Sequence, residues 1–166
     1  MPHKQEFPPL LPQGFHALSV AELRKLCVDN FPLSKCRADV MAGFETLYER
    51  AITLKITGEA WIDGSFLTRK MEPEDIDFIF IIPSHLYDAG SDEQVAFIDW
   101  LIDNEDEPKT AFFCHTDVVL AYQPSHLEYG NFAATLQAWE QKVYGFSVSS
   151  KEPKGIAVVK LREDAK

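Results

Sequence analysis

Long hydrophobic runs are missing from this sequence. No stretch of about 18 consecutive apolar residues occurs in its 166 residues, so no segment has the length of a membrane-spanning helix. The amino terminus has prolines and charged residues where a secretory signal peptide has a continuous apolar segment. We therefore expect a soluble, cytoplasmic protein that makes no contact with a membrane.

Cysteine is also scarce. The chain has three cysteines, Cys27, Cys36 and Cys114, at wide separations, with neither a Cys-x-x-Cys pair nor a His/Cys cluster at zinc spacing. We expect all three to be reduced thiols in the core. A disulfide or zinc framework is not needed, because 46% of the residues are apolar and a chain of this length buries enough surface to fold as one domain.

Positive charge is the third shortage. The chain has 16 lysines and arginines against 26 aspartates and glutamates, which gives a formal net charge of −10 and a pI near 4.9. Broad, non-specific binding to nucleic acid requires a basic surface, so we do not expect it here. A nucleic-acid end held in a small pocket is compatible with this charge, but a protein or a small molecule is favoured as partner.

Helix caps, apolar spacing and breakers together predict one α+β domain. The helix that follows Ser34 is expected to be the main core helix, because its apolar residues recur every three or four positions. An extended arm over 1–14 is predicted to precede two helices, one from Ser19 to near Asn30 and one from Ser34 to a terminator at Gly58. Strands at 60–63 and 76–82 follow, and then a helix that is capped by Ser91 and ends in a solvated acidic loop at 103–107. The remaining predicted elements are a strand at 111–121, a helix at 125–142, and strands at 144–149 and 155–161. This order predicts a mixed β-sheet covered by helices within residues 15–166.

Two aspartates at the head of a predicted strand suggest a metal site. Asp75-Ile76-Asp77 leads into the apolar run 78–82. In an extended strand Asp75 and Asp77 project to the same side, roughly 6.5–7 Å apart along the backbone, so both carboxylates reach shared cations. Mg²⁺ prefers oxygen ligands and completes its shell with water and substrate phosphates. The pair therefore predicts a magnesium site.

A glycine–serine turn precedes this pair. Gly64 allows a tight bend and the close approach of a phosphate, while Ser65 offers a hydroxyl and an amide at the start of a short predicted helix, where anions are favoured. The turn is therefore predicted to hold the β and γ phosphates of a nucleotide. Arg69 and Lys70 follow, and we expect both side chains to face solvent.

A third carboxylate would complete the metal site, and Asp117 is favoured. Alternation along the strand predicted at 111–121 places Asp117 and His115 on its polar face. We interpret His115 as structural, because an isolated histidine is usually a hydrogen-bonded structural residue. The weaker candidates for the third carboxylate are Asp63, Asp99 and Asp103.

The combination of Gly64-Ser65, Asp75-Ile76-Asp77 and Asp117 resembles the nucleotidyltransferase superfamily of DNA polymerase β type. The resemblance implies a nucleotidyltransferase-like fold, Mg²⁺ or Mn²⁺ as cofactor held by the three aspartates, and a nucleoside triphosphate as substrate. The commonest turn of that family is Gly-Ser-x-Ala-Arg-Gly, and this chain departs from it, because residues 66–70 read Phe-Leu-Thr-Arg-Lys without a second glycine.

Further segments are similar to small stand-alone prokaryotic members of this superfamily. They are Leu11-Pro12-Gln13-Gly14, Ser65-Phe66-Leu67-Thr68 and Pro153-Lys154-Gly155-Ile156. Some relatives of that kind occur in toxin–antitoxin or phage-defence loci, and the resemblance thus suggests a partner protein for this chain.

Three functions remain open on the sequence. The favoured one is a magnesium-dependent nucleotidyltransferase that moves a nucleoside monophosphate from a triphosphate to a hydroxyl of a protein, an RNA end or a small molecule. The alternative is a catalytically inactive nucleotidyltransferase-like module that binds a partner protein, for example in a toxin–antitoxin pair. A phosphodiesterase or other hydrolase ranks lower, because no histidine or lysine is placed near Asp75 and Asp77 in the sequence.

Overall fold

Residues 5–144 and 155–162 are described by the structure, a computed structural model. Its strands are β1 (Gly14–Ala17), β2 (Gly58–Asp63), β3 (Ile76–Pro83), β4 (Cys114–Ala121) and β5 (Gly155–Leu161). Its α-helices are α1 (Val20–Arg24), α2 (Arg37–Thr53), α3 (His85–Asp88), α4 (Asp92–Asp103), α5 (Asp106–Phe112) and α6 (Tyr129–Tyr144). A π-helical turn at Lys25–Asp29 continues α1, and a single 3₁₀ turn at Ser65–Leu67 follows β2.

The five strands form one mixed sheet in the order β1-β5-β2-β3-β4. β2 runs antiparallel to both of its neighbours, β3 and β5, whereas the β1–β5 and β3–β4 pairs are parallel. The predicted α+β class and the mixed sheet with helices are therefore confirmed.

The core lies between one face of the sheet and helix α2. Phe78 of β3 is buried on this face, and its ring makes an edge contact with Phe44 of α2 at a centroid distance of 5.1 Å. The apolar stripe predicted for this helix is buried at Val40, Phe44, Leu47 and Ala51. Because side chains alternate along a strand, Asp77 and Ile79 face the other side of the sheet.

Helix α6 packs on that other face. The Trp139 ring of α6 makes an edge contact with Trp61 of β2 at 5.9 Å, and Phe15 of β1 lies 4.8 Å from Trp61. The Gln13 side chain donates a hydrogen bond to the backbone oxygen of Val143 at 3.1 Å. The carboxyl end of α6 is thereby attached to the face that carries Asp77.

The acidic stretch at 103–107 is not the solvated loop that we predicted. Helix α5 begins at Asp106 and ends at Phe112, so the following strand starts at Cys114 instead of residue 111. Acidic residues in a first helical turn favour the amino end of the helix, and Pro108 is tolerated there because its missing N–H is not needed in that turn. Phe113, with φ of 54°, ends the helix in a left-handed conformation.

Several predicted boundaries were also wrong. Gly58 does not terminate α2, because the helix ends at Thr53 and Gly58 opens β2. The helix predicted at 125–142 starts at Tyr129 and runs to Tyr144. The strand predicted at 155–161 is confirmed as β5, and the one predicted at 144–149 lies outside the described residues except for Tyr144, which ends α6.

The sequence did not predict β1. Gly14 falls at the end of the arm predicted over 1–14, yet it opens a strand that pairs in parallel with β5. The described part of the arm lies on the body, because Pro9 forms a β-bridge with Thr68, and Leu10 and Leu11 pack against the core.

All three cysteines are free thiols, as predicted. Cys27 and Cys114 are buried, and this burial raises the pKa of each thiol to about 12. Cys36 is half-buried, so the prediction that all three thiols lie in the core was wrong for this residue. Within 5–144 and 155–162 no helix is long and apolar enough to span a membrane.

Candidate active site

The turn after β2 meets the side chain of Asp77. Gly64 has φ of 80° and ψ of −165°, a conformation that residues with a side chain rarely adopt. A Cβ atom added to Gly64 would lie 2.0 Å from Oδ2 of Asp77, so the carboxylate rests directly against the glycine backbone. The structure therefore brings together Gly64 and Asp77, two residues that the sequence assigned to one site.

Three polar residues form a row across β2, β3 and β4 at one end of these strands. Asp77 of β3 stands opposite Asp63 of β2 on one side and opposite His115 of β4 on the other. The His115 Nδ1 atom lies 2.8 Å from Oδ1 of Asp77. Asp63 is only 6% exposed, although it carries a carboxylate. We call this row, Asp63–Asp77–His115, the polar row.

A lysine from helix α6 reaches the polar row. The Lys142 ammonium forms an ion pair with Oδ2 of Asp63 and lies 4.6 Å from the centre of the Trp139 ring. Since Trp139 itself packs on Trp61, the lysine is positioned by an aromatic contact between α6 and the sheet. It places a positive charge beside the residue that directly precedes Gly64.

Asp75 has a different environment. It lies one residue before β3, where strand alternation does not yet fix the direction of its side chain. Its Oδ2 atom is 3.7 Å from the Lys109 ammonium of α5. Burial is the main cause of the raised pKa of the Cys114 thiol, and the negative charge of Asp75 raises this pKa further. Asp75 therefore interacts with the α5 side of the site.

Asp117 is exposed on β4, on the same side of the strand as His115. Its partner across the sheet is Ile79, so it is a diagonal neighbour of Asp77. Oδ1 of Asp117 accepts a hydrogen bond from the backbone N–H of Val118 at 2.7 Å. Ser65 is half-buried, and its backbone oxygen accepts hydrogen bonds from the N–H and the hydroxyl of Thr68.

The predicted carboxylates do not form one metal-binding group. In the described ranges no three His, Cys, Asp or Glu side chains are close enough together to hold a metal ion. Asp77 lies with Asp63 and His115, whereas Asp75 and Asp117 make the separate contacts given above.

The structure places three further residues in this site. Asp63 was a weaker candidate for the third carboxylate, His115 was interpreted as a hydrogen-bonded structural residue, and Lys142 was not considered. Alternation already placed His115 on the polar face, but its contact with Asp77 depends on the β3–β4 register. Folding also brings His115 to Asp77 and Lys109 to Asp75, so a histidine and a lysine do lie beside the two aspartates, although neither is near them in sequence.

Arg69 is exposed, as predicted, whereas Lys70 is half-buried.

Comparison of the sequence with models of known protein families gives a match. The model of the family of unknown function DUF6932 matches residues 2–160. Neither a curated protein nor a solved structure matches the chain.

Proposed function

The chain belongs to the DUF6932 family, and we propose that it is a nucleotidyltransferase-like enzyme that moves a nucleoside monophosphate from a nucleoside triphosphate to a hydroxyl group. The observation that carries this proposal is the contact between the Asp77 carboxylate and the Gly64 backbone. It joins a turn suited to phosphate with an acidic side chain suited to a divalent cation. Nucleotidyl transfer requires these two functions side by side.

The turn would bind the triphosphate. Gly64 makes the bend at which the turn begins, in a conformation that favours glycine, and Ser65 adds a hydroxyl group directly after it. Lys142 supplies an ammonium beside this turn through its ion pair with Asp63. A phosphate bound there would therefore meet both hydrogen-bond donors and a positive charge.

The carboxylates fit Mg²⁺ or Mn²⁺ by the chemistry of their donors. Asp63 and Asp77 stand opposite each other on antiparallel strands, where Cα atoms are about 4.5–5.5 Å apart, and both offer only oxygen ligands. Mg²⁺ is commonly bound through one or two protein carboxylates, with water and phosphates as its other ligands. We propose Asp77 and Asp63 as the protein ligands of the cation, because they stand opposite each other, whereas Asp75 and Asp117 do not form one metal-binding group with this pair. When bound, the cation would neutralise the triphosphate charge and orient the attacking hydroxyl.

Two residues of β4 have proposed roles in the reaction. His115 holds the Asp77 carboxylate through its Nδ1 atom and so fixes the orientation of this ligand. Asp117 has an exposed carboxylate on the same side of β4, and we assign to it the acceptance of the proton from the attacking hydroxyl.

Nucleotide binding tests this assignment directly. The wild-type chain should bind ATP in calorimetry only when Mg²⁺ is present, and an Asp75→Asn, Asp77→Asn double variant should lose this binding. An Asp88→Asn, Asp103→Asn double variant is the matched control, because it removes the same charge at two exposed positions outside the site. Equal affinity of the two double variants would refute the proposed site.

The acceptor is identified by a labelling experiment. The purified protein is incubated with labelled triphosphates and a cell lysate, and the label is then traced into RNA, protein or small molecules. Mass spectrometry of the products distinguishes transfer from hydrolysis, since transfer attaches the nucleotide to an acceptor and hydrolysis releases free monophosphate.

A second candidate function is a catalytically inactive module that binds a partner protein, for instance one component of a toxin–antitoxin pair. The observation in its favour is that Asp63, Asp75 and Asp77 contact Lys142, Lys109 and His115, respectively. Nitrogen groups of the chain itself thus stand where a cation would otherwise bind. Failure of the wild-type chain to bind Mg²⁺ and ATP at millimolar concentration would favour this function, and catalytic turnover would exclude it.

A further inference from the structure

Arg37, the first residue of α2, is a fully buried cation whose guanidinium group is surrounded by backbone carbonyl groups. Burial of a charge is costly unless hydrogen bonds compensate for the lost water. The guanidinium donates to the backbone oxygens of Cys27 at 2.9 Å, Phe66 at 2.9 Å, Thr68 at 2.7 Å and Lys70 at 2.6 Å.

Three of these four carbonyl groups belong to the segment that contains the glycine–serine turn. We call residues 64–75, which join β2 to β3, the connector. Its residues 66, 68 and 70 all direct their carbonyl groups toward Arg37. The guanidinium also lies 3.8 Å from the centre of the Phe31 ring and 5.3 Å from that of Phe66. The Arg37 side chain therefore holds the backbone of the connector immediately after Ser65.

The connector is attached to the start of α2 at a second point. The Glu72 carboxylate accepts hydrogen bonds from the backbone N–H groups of Lys35 at 3.0 Å and Cys36 at 3.2 Å and from the Ser34 hydroxyl at 3.0 Å. The two side chains thus form hydrogen bonds in opposite directions. Arg37 of α2 donates to the backbone of the connector, and Glu72 of the connector accepts from the segment that precedes α2.

The amino-terminal segment holds the connector from its other edge. The Arg69 N–H donates to the Pro8 oxygen at 2.9 Å, and the Leu10 N–H donates to the Leu67 oxygen at 2.8 Å. The connector is therefore enclosed between this segment and α2. Arg37 is its innermost contact, because its side chain is fully buried.

We propose that Arg37 is a positioning residue for the phosphate-binding turn: by holding the carbonyl groups of Phe66, Thr68 and Lys70, it fixes the backbone conformation in which Gly64 and Ser65 receive the triphosphate. This inference rests on the proposed function of the turn. Arg37 itself touches neither the phosphates nor the polar row in this assignment. It acts through the connector.

Two substitutions at this position test the inference. Arg37→Lys keeps the charge but has one ammonium group in place of the planar guanidinium, so it satisfies fewer of the carbonyl groups. Arg37→Met removes the charge and keeps an apolar chain. Tyr48→Phe is the control, because it removes hydrogen bonds from α2 to the backbone oxygens of Lys160 and Arg162 and leaves the connector unchanged.

Hydrogen exchange is the first measurement, and it needs no nucleotide. In Arg37→Lys the amides of Leu67, Thr68 and Arg69 should exchange faster than in the wild type, while those of β2 and β3 keep their protection. Unchanged exchange of these connector amides would overturn the inference. The measurement does not depend on Arg37→Met, which loses a buried charge and is the more disruptive variant.

Affinity for Mg²⁺ and ATP is the second measurement, made where circular dichroism shows each variant to be folded. We expect the Kd to rise roughly tenfold or more in Arg37→Lys, since small displacements of binding groups have effects of this size, and to stay at the wild-type value in Tyr48→Phe. A wild-type Kd in Arg37→Lys would overturn the inference. Absence of binding by the wild-type chain would instead overturn the proposed function, and hydrogen exchange would still decide whether Arg37 sets the connector conformation.

Discussion

Gly64 has the most constrained backbone of the candidate site. Its positive φ is unfavourable for a residue with a side chain, and the position of a Cβ atom is already taken by the Asp77 carboxylate. Both restrictions concern the Cβ atom that glycine lacks, so the substitution Gly64→Ala, which adds only this atom, tests them.

We predict that Gly64→Ala lowers the free energy of unfolding by about 1–3 kcal/mol from the positive-φ backbone alone, with a further loss from displacement of the Asp77 carboxylate. Urea denaturation measures this change. Gly130→Ala in α6 is the matched control, because its added Cβ atom would meet nothing within 4 Å and alanine is the better helix former. An equal effect of the two substitutions would contradict the prediction.

Glu72 gives the connector a defined dependence on pH. Hydrogen bonds from Cys36, from the Lys35 backbone and from the Ser34 hydroxyl favour the ionised carboxylate and lower its pKa from 4.5 to about 2. Since the folded-state pKa is lower than the unfolded one, the stabilisation is fully present above pH 4.5 and is lost as the pH falls toward 2.

We predict that the difference in unfolding free energy between wild type and Glu72→Gln shrinks as the pH is lowered through this window. Denaturation at a series of pH values measures it, and NMR titration of the Glu72 carboxyl group reports its pKa directly. A constant difference at every pH, or an NMR pKa near 4.5, would contradict the assigned hydrogen bonds.

Helix α6 and strand β2 are linked at the level of whole elements by two adjacent contacts, one aromatic and one ionic. The aromatic contact is Trp139 on Trp61, and the ionic one is Lys142 with Asp63. Because Asp63 is nearly buried, its ion pair is screened less by salt than a pair on the open surface. The position of α6 over the polar row therefore depends in part on charge.

We predict a coupling energy of about 1 kcal/mol between Lys142→Met and Asp63→Asn in a double-mutant cycle of unfolding free energies. The coupling should decrease in high salt, because the Lys142 side chain is 44% exposed. A Lys109→Met, Asp75→Asn cycle is the comparison, since that pair is longer at 3.7 Å and should couple less. Additive effects of Lys142→Met and Asp63→Asn would show that the two elements are not joined by this ion pair.

At the scale of the whole molecule, local signals predicted two helix starts and one buried helix face correctly, although they misplaced the end of α2 and missed α5. The capping boxes at Ser19 and Ser91 both form, and the apolar stripe of α2 is buried as its spacing indicated. Capping and helical spacing act between residues a few positions apart, so a sequence displays them directly. The mixed sheet followed from the order of these elements.

The other failures depended on distant partners. β1 has four residues, and its hydrogen bonds go to β5, which is remote in sequence. For the same reason Asp63 and His115 were not predicted to flank Asp77, because strand register is a tertiary property that spacing does not contain. Among the contacts of Asp77, the one with Gly64 was predicted, because the short connector joins the two strands and restricts how they can pack.

The sheet order has a consequence for synthesis of the protein. β5 follows the other four described strands in the chain, yet it lies between β1 and β2 in the interior of the sheet. A nascent polypeptide emerging from the ribosome thus holds β1 without its hydrogen-bonding neighbour until β5 has been synthesised. During that interval β2 has one open edge, which would be exposed to chaperones or to aggregation with other nascent chains.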